Sequence, residues 1–322
     1  MRIFLPNSAR LQNIEGFIRH FDPVDPDVLE FSMHARWVNV HPAVLAFTAS
    51  VADLVARNGG RHVGEVAEVR SLPYLVRMGL FDHVLLEHGR AITEHEEAGR
   101  FIPLKQLRTT RELSDFIVDI VPLLHAEPNQ VEPIRYVISE LVRNVLEHAS
   151  SPGGAFVCAQ LYRESGVLSI GVADAGIGVQ RSMAHSHQVD TAWDALIKAL
   201  KPGVTGTTAR IGGTDYNAGA GLFFTKCIAA ASKSYFVLYS GDALFKLKPL
   251  KSGGFPVLHA DPLKDHHTKR TGMPTWSGTL VGIDIGLESD MLFAELMKAI
   301  LAAFQVDVKQ RKKAMYKRPR FM

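Results

Sequence analysis

Apolar positions alternate along the first ninety residues between strand-like runs and helical spacing. Arg2 to Leu5 is a short apolar strand. Leu11, Ile14, Phe17, Ile18 and Phe21 then recur every three or four residues, as on one helix face. Val28 to Met33 again has strand character. Pro42 opens a helix that turns Val44, Leu45, Phe47, Val51, Leu54 and Val55 inward, and Asn58-Gly59-Gly60 stops it. His62 to Val66 predicts a strand, and Ser71 to Met78 a short helix closed by Gly79. Periodicity disappears over HGRAITEHEEAGR, residues 88–100, which predicts a linker, bounded here as 91–104.

Beyond it, Leu113, Phe116, Ile117 and Ile120 mark an amphipathic helix from Thr109 to His125. Pro128-Asn129 breaks the chain, and Asn129 with Glu132 forms a capping pair for a helix reaching Ala149, with Pro133 in its first turn. Strands follow near 155–162 and 167–173. A glycine-rich stretch then carries one helix, Thr191 to Leu200. The pattern next predicts a helix over 221–232, a strand over 235–239, a loop over 251–277, a strand over 279–285 and a helix over 290–304.

Bulk properties narrow the class. At 322 residues the chain exceeds the usual single-domain size, which suggests two domains. Hydrophobic residues at 47% and charged residues at 21% suit an ordinary globular protein. Cys158 and Cys227 are too few for a disulfide framework and fit a reducing cytosol. No run approaches the roughly 18 uninterrupted apolar residues of a membrane span, and the apolar start is too short for a signal peptide. A cytoplasmic protein without a membrane segment is expected. Residues 306–322 carry seven basic side chains against Asp307, a local charge of +6, so the remainder holds −3 of the overall +3. Such a tail suits a solvated terminus, or an electrostatic grip on an acidic partner or nucleic acid.

The chemistry-bearing residues lie in the second half. Glu140, Asn144 and His148 fall on one stripe of the 134–149 helix, since positions four apart are neighbours. A carboxylate beside a triphosphate can polarise water for attack on the γ-phosphorus. An asparagine oxygen is a suitable neutral ligand for Mg²⁺. The same stripe also suits a mixed surface helix. Asp174 ends the apolar strand VLSIGVA, where a carboxylate can accept from an adenine amino group, and Gly176 and Gly178 allow a flat base to approach. A plain Asp-x-Gly turn is the alternative. Gly219 and Gly221 open an apolar helix whose amides can point at phosphates, although a Gly-x-Gly can also simply start a helix.

ELVRNVLEHA, DAGIG and NAGAGL, in that order, resemble the N, G1 and G2 boxes of the GHKL superfamily of ATPases and histidine kinases. The resemblance covers about 105–305 and implies an α/β (α+β) fold: a two-layer sandwich with ATP-Mg²⁺ between helices and a mixed sheet. It implies that Glu140 is the general base, Asn144 the Mg²⁺ ligand and Asp174 the adenine reader. Gly176 and Gly178 would shape the base pocket, and Gly219 and Gly221 meet the phosphates. His148 and Leu222 belong to the same nucleotide-binding set, Thr279 matches the hydroxyl bridging Asp174 and adenine through water, and 179–218 would be a mobile lid. Glu147 departs from the Lys or Arg that many sensor kinases place there, and the N box is closer to anti-sigma-factor kinases.

Residues 1–90 resemble the STAS domain of anti-sigma-factor antagonists, in the long helix ending Asn-Gly-Gly and in SLPYLVRMGLFDHV. Phosphorylatable members carry a hydroxyl at the start of that helix, whereas this chain has Val38-Asn39-Val40-His41-Pro42. The expected organisation is a STAS-like domain (1–90), a linker (91–104), a GHKL domain (105–305) and a basic tail (306–322). The expected activity is ATP-Mg²⁺ binding with slow hydrolysis, lid ordering controlling a protein partner or a homodimer. An anti-sigma-type serine/threonine kinase and a non-catalytic ATP-gated module are the alternatives. Lys226 reads as a solvated lysine within reach of phosphate. No Gly-Lys-Ser/Thr phosphate loop and no protein-kinase motif set is present. His95-Glu96 lacks the two flanking long helices of a phospho-acceptor box. His185, His187, His266 and His267 lack the cysteine partners and spacing of a metal site.

Overall fold

The structure, a computed structural model, describes residues 1–87, 101–120, 128–206, 219–250, 257–287 and 293–316. The chain begins with strands Arg2–Leu5 (β1) and Ser8–Ala9 (β2), then helix Ile14–Arg19 (α1). Strands Val28–Met33 (β3) and Asn39–Val40 (β4) lead into the long helix Pro42–Arg57 (α2), and Arg61–Gly64 (β5) follows. Two short helices close this region, Leu72–Arg77 (α3) and Leu80–Val84 (α4). β1, β3 and β5 make a parallel sheet with β3 central, and β2 pairs parallel with β4.

The second half opens with strand Phe101–Leu107 (β6) and helices Thr110–Ile120 (α5) and Pro128–His148 (α6). A hairpin of Ala155–Tyr162 (β7) and Val167–Asp174 (β8) is followed by helices Gly178–Ala184 (α7), Ala192–Ala199 (α8) and Gly221–Ala231 (α9). Phe236–Gly241 (β9) and Ala243–Leu247 (β10) form a second hairpin. His267–Arg270 (β11), Trp276–Gly286 (β12) and helix Phe293–Tyr316 (α10) complete the chain. Seven strands form one sheet in the order β11-β10-β9-β12-β8-β7-β6. The fold is α/β. The large sheet, expected to be mixed, pairs antiparallel in each ladder, and parallel pairing is confined to the N-terminal strands. Hairpins are antiparallel by construction, and β12 returns between β8 and β9.

Several boundaries differ from the sequence reading. β6 starts inside the segment taken as linker, because the apolar run Phe101-Ile102-Pro103-Leu104 buries along the edge of the sheet; residues 88–100 lie outside the described set. The predicted 251–277 loop contains β11 and the first two residues of β12, with 251–256 undescribed. β10 went unpredicted although Gly241-Asp242 separates two apolar runs. Pro133 lies past the first turn of α6. The last helix continues to Tyr316, so most of the basic tail is helical. Arg311 pairs with Asp307 at 2.6 Å and donates to the Pro202 carbonyl.

Both faces of the large sheet are covered, and the strands sort their side chains with period two. Val157, Ile170, Val172, Leu238, Val281 and Ile283 face a core shared with α6, α8, α9 and α10. Phe156, Cys158, Ala173, Val237, Tyr239 and Leu280 face the N-terminal region. There Phe47 of α2 meets Trp276 and Tyr239 with ring centroids 5.2 and 6.2 Å apart. The expected two-layer sandwich is therefore backed by a third layer. Gly171 makes the approach of α2 feasible: a Cβ there would lie 2.2 Å from the Ala43 backbone nitrogen.

Polar pins hold the same face. His41, fully buried, caps α2 by accepting from the Ala43 amide through Nδ1 at 3.0 Å, and its Nε2 lies 3.1 Å from Asp284 Oδ1. An accepting Nδ1 requires the neutral ring, so Nε2–H is the donor to Asp284. Burial lowers the His41 pKa from its usual 6.5, in keeping with that tautomer, with Asp284 opposing the shift. Ser169 donates to the same Asp284 oxygen at 2.5 Å. Lys246 pairs with Glu15 at 2.6 Å, and Arg10 stacks on Tyr162.

Removing His41 uncaps α2 and leaves Asp284 short of a donor. His41→Ala is expected to cost about 1–3 kcal/mol of stability, measured as a lowered urea midpoint. Because the folded pKa of His41 is depressed, its contribution is present above pH 6.5 and lost as pH falls below it. A wild type and His41→Asn pair whose stability difference is flat from pH 7.5 to 5.5 contradicts the assignment.

Candidate functional site

Helix α6 lies on the sheet with Val137, Ile138, Leu141, Val142 and Val145 buried, which turns the Glu140–Asn144–His148 stripe sideways. What that stripe meets is set by two hydrogen-bonded turns. The Ile177 amide donates to the Ala149 carbonyl at 2.8 Å, fastening the loop after β8 to the end of α6. The approach is so close that a Cβ at Gly176 would fall 2.0 Å from the Ala149 oxygen. The Gly203 amide donates to the Gly219 carbonyl at 3.0 Å and closes the opposite side.

Between them lies a cavity of about 270 Å³. Glu140, Asn144 and His148 line it from α6, Asp174 from the end of β8, and Thr279 from β12. Gly178 lines it with φ +74°, Gly219 with φ +62°, and Gly221 and Leu222 from the first turn of α9, which no side chain caps. Of the predicted residues only Gly176 is not in the lining; it works one bond back, donating its amide to Asp174 Oδ1 at 2.8 Å.

Asp174 is 1% exposed. Burial pushes its carboxyl up to about 7, against hydrogen bonds from the Gly176 amide and the Thr279 side chain and backbone. It sits opposite Thr279 in the β8–β12 ladder. Trp276 Nε1 donates to the Asp174 carbonyl at 3.1 Å, and Gly278 leaves room where a Cβ would meet that oxygen at 1.9 Å. Trp276 and Gly278 escaped the sequence reading, although the Trp-Ser-Gly-Thr run precedes the strand that holds Thr279.

On α6, burial raises the Glu140 pKa, opposed by the Arg143 guanidinium and reinforced by Glu147. Arg143 Nη1 donates to Glu140 Oε1 at 3.0 Å. Burial lowers the pKa of His148, opposed by Glu147. Asn144 Nδ2 is buried and has no hydrogen-bond partner among the described residues. This side chain therefore offers the cavity a polar group that no described residue satisfies. Among the described residues no cluster of three or more His, Cys, Asp or Glu could hold a metal. One amide oxygen is a sparse donor set, which fits Mg²⁺ held mainly by phosphate and water.

Lys226 is neither solvated nor turned to the cavity. It is 1% exposed, donates to the His259 carbonyl at 2.9 Å and pairs with buried Asp265. Its position one turn into an apolar helix gave no sign of that partner, 39 residues away. Of the expected lid, α7 and α8 are packed helices, Trp193 and Leu196 being buried, and 207–218 lie outside the described residues.

The raised carboxyl of Asp174 has a signed consequence. Its folded pKa exceeds the ordinary 3.8, so its contribution to stability is full below pH 3.8 and is lost as pH rises through about 7. Asp174→Asn is expected to gain stability relative to wild type between pH 4 and 8 in thermal melts of the ligand-free protein. A difference that stays constant across that range refutes the shift.

No protein-family model matches the chain, and no curated protein matches it. A solved structure described as the topoisomerase IV ATP-binding domain of Francisella tularensis, in complex with a small molecule inhibitor, is similar over 62% of this chain and 47% of that one, at 12% identity and a TM-score of 0.22. This chain thus spans about half of that chain, 47%. A likeness of that degree identifies neither the fold nor the activity of this protein. Among the described residues no helix is long and apolar enough to cross a membrane.

Proposed function

We propose that the protein binds ATP with Mg²⁺ in this cavity and hydrolyses it slowly, as a regulatory protein of GHKL type. The observation that carries the reading is convergence. Three stretches well separated in sequence, read separately as base reader, metal ligand with general base, and phosphate loop, line one cavity in which Asn144 Nδ2 has no partner among the described residues. Asp174 would accept from the adenine amino group, with Thr279 beside it. Asn144 would ligate Mg²⁺, which when bound offsets phosphate charge. The uncapped first turn of α9 would meet phosphate oxygens with its amides. Glu140, made more basic by burial, would take a proton from the attacking water on its carboxylate.

The division into an N-terminal STAS-like unit and an ATP-binding unit over 105–305 belongs to the same proposal. So do ordering of the segment within 179–218 around nucleotide, control of a partner or second subunit by that ordering, and residence in the cytoplasm. Two buried free thiols suit a reducing compartment. The start of α2 offers no phospho-acceptor, since His41 occupies the cap.

Calorimetry and phosphate release test the assignment in pairs. Glu140→Ala is expected to keep ATP-Mg²⁺ binding and lose about 10²–10⁴-fold in turnover. Asn144→Ala is expected to lose the Mg²⁺-dependent part of ATP affinity, and Asp174→Asn about 1–3 kcal/mol of binding. Unchanged ATP affinity in Asp174→Asn, or wild-type hydrolysis by Glu140→Ala, removes the corresponding role.

A further inference from the structure

Among the described residues, the proposed site is short of positive charge. Among the described residues lining the cavity, the carboxylates are Glu140, Glu147 and Asp174, and the one guanidinium or ammonium group is that of Arg143. A nucleoside triphosphate brings more negative charge than one divalent cation offsets, and Lys226, the cation nearest the glycine turn in sequence, is committed to Asp265. Arg143 is 49% exposed and one helical turn from Glu140. Its Nη1 holds Glu140 Oε1 at 3.0 Å, and its Nε lies 3.9 Å from Glu147 Oε1. The other oxygen of Glu140 lies against the glycine turn: a Cβ at Gly221, the first residue of α9, would lie 2.5 Å from Oε2. One carboxylate thus has an oxygen seated against the glycine turn and an oxygen tied to a movable side chain.

That tie is easily exchanged. Half-exposed ion pairs on one helix are weak. A guanidinium on phosphate makes charge-assisted, commonly bidentate hydrogen bonds that are stronger. We propose that Arg143 reads the terminal phosphate of a nucleoside triphosphate and gives up Glu140 Oε1 to do so. In the free protein the same guanidinium occupies the base; with the third phosphate in place, the base is released to act on water. Arg143 then makes the site sensitive to phosphate number, a property that neither Asp174, at the base end, nor Asn144, at the metal, supplies. The inference rests on the ATP reading above.

The full chain is titrated calorimetrically with ATP-Mg²⁺ and, separately, ADP-Mg²⁺, for wild type, Arg143→Ala and Arg143→Lys. Arg143→Ala is expected to weaken ATP by about tenfold or more while ADP changes by less than about twofold, with Arg143→Lys between the two. Arg143→Gln, run in parallel, keeps the aliphatic stem and carries the measurement where the alanine chain does not fold. Equal weakening of ATP and ADP, or no change in either, overturns the role of Arg143 and leaves ATP binding standing. A wild type that binds neither nucleotide overturns the ATP reading and this proposal with it.

Discussion

Burying a carboxylate at the end of a central strand costs several kcal/mol unless hydrogen bonds return it, and the site is organised around that cost at Asp174. The Gly176 amide and Thr279 supply the bonds, Trp276 and Gly278 fit around the backbone, and the β8–β12 register fixes the pairing. The partners come from one neighbouring strand, β12, and one tight turn, so the carboxylate is placed by the sheet, not by a flexible loop. The turn in turn hangs on α6 through Ile177 and Ala149. Strand end, helix end and glycine turn are therefore positioned by one another, and the side chains of α6 inherit that placement.

The parts of the site legible in the sequence were those with local signals. Spacing of four put Glu140, Asn144 and His148 on one stripe, and glycines marked the turns at 176, 178, 219 and 221. Long, strongly periodic elements such as α2, α8 and α9 also read correctly. What sequence alone missed was decided at long range. Lys226 resembles a surface lysine until Asp265 arrives from another part of the chain. β6 has an apolar run short enough to pass for linker until β7 pairs with it. Arg143 has no local signal on α6 that sets it apart, and it stands out by the scarcity of other cations among the described residues around the cavity.

The N-terminal region shows the same limit. Its elements follow local pattern, but nothing in that pattern says that α2 lies flat on the large sheet. That contact depends on Gly171 having no side chain and on a neutral His41 serving two partners at once.

This close backing bears on how the protein can be taken apart. Phe156, Tyr239, Leu280 and Trp276 are buried by residues that precede Phe101 in the chain. A fragment cut at the apparent boundary near residue 105 would present those rings and aliphatic groups to water as one continuous sticky face. It would also strand Asp284 without His41, and Lys246 without Glu15. The half that carries the cavity is thus not a detachable cassette. Its modular appearance in sequence conceals a shared interior, and fusion or domain exchange would have to carry the first eighty-odd residues along.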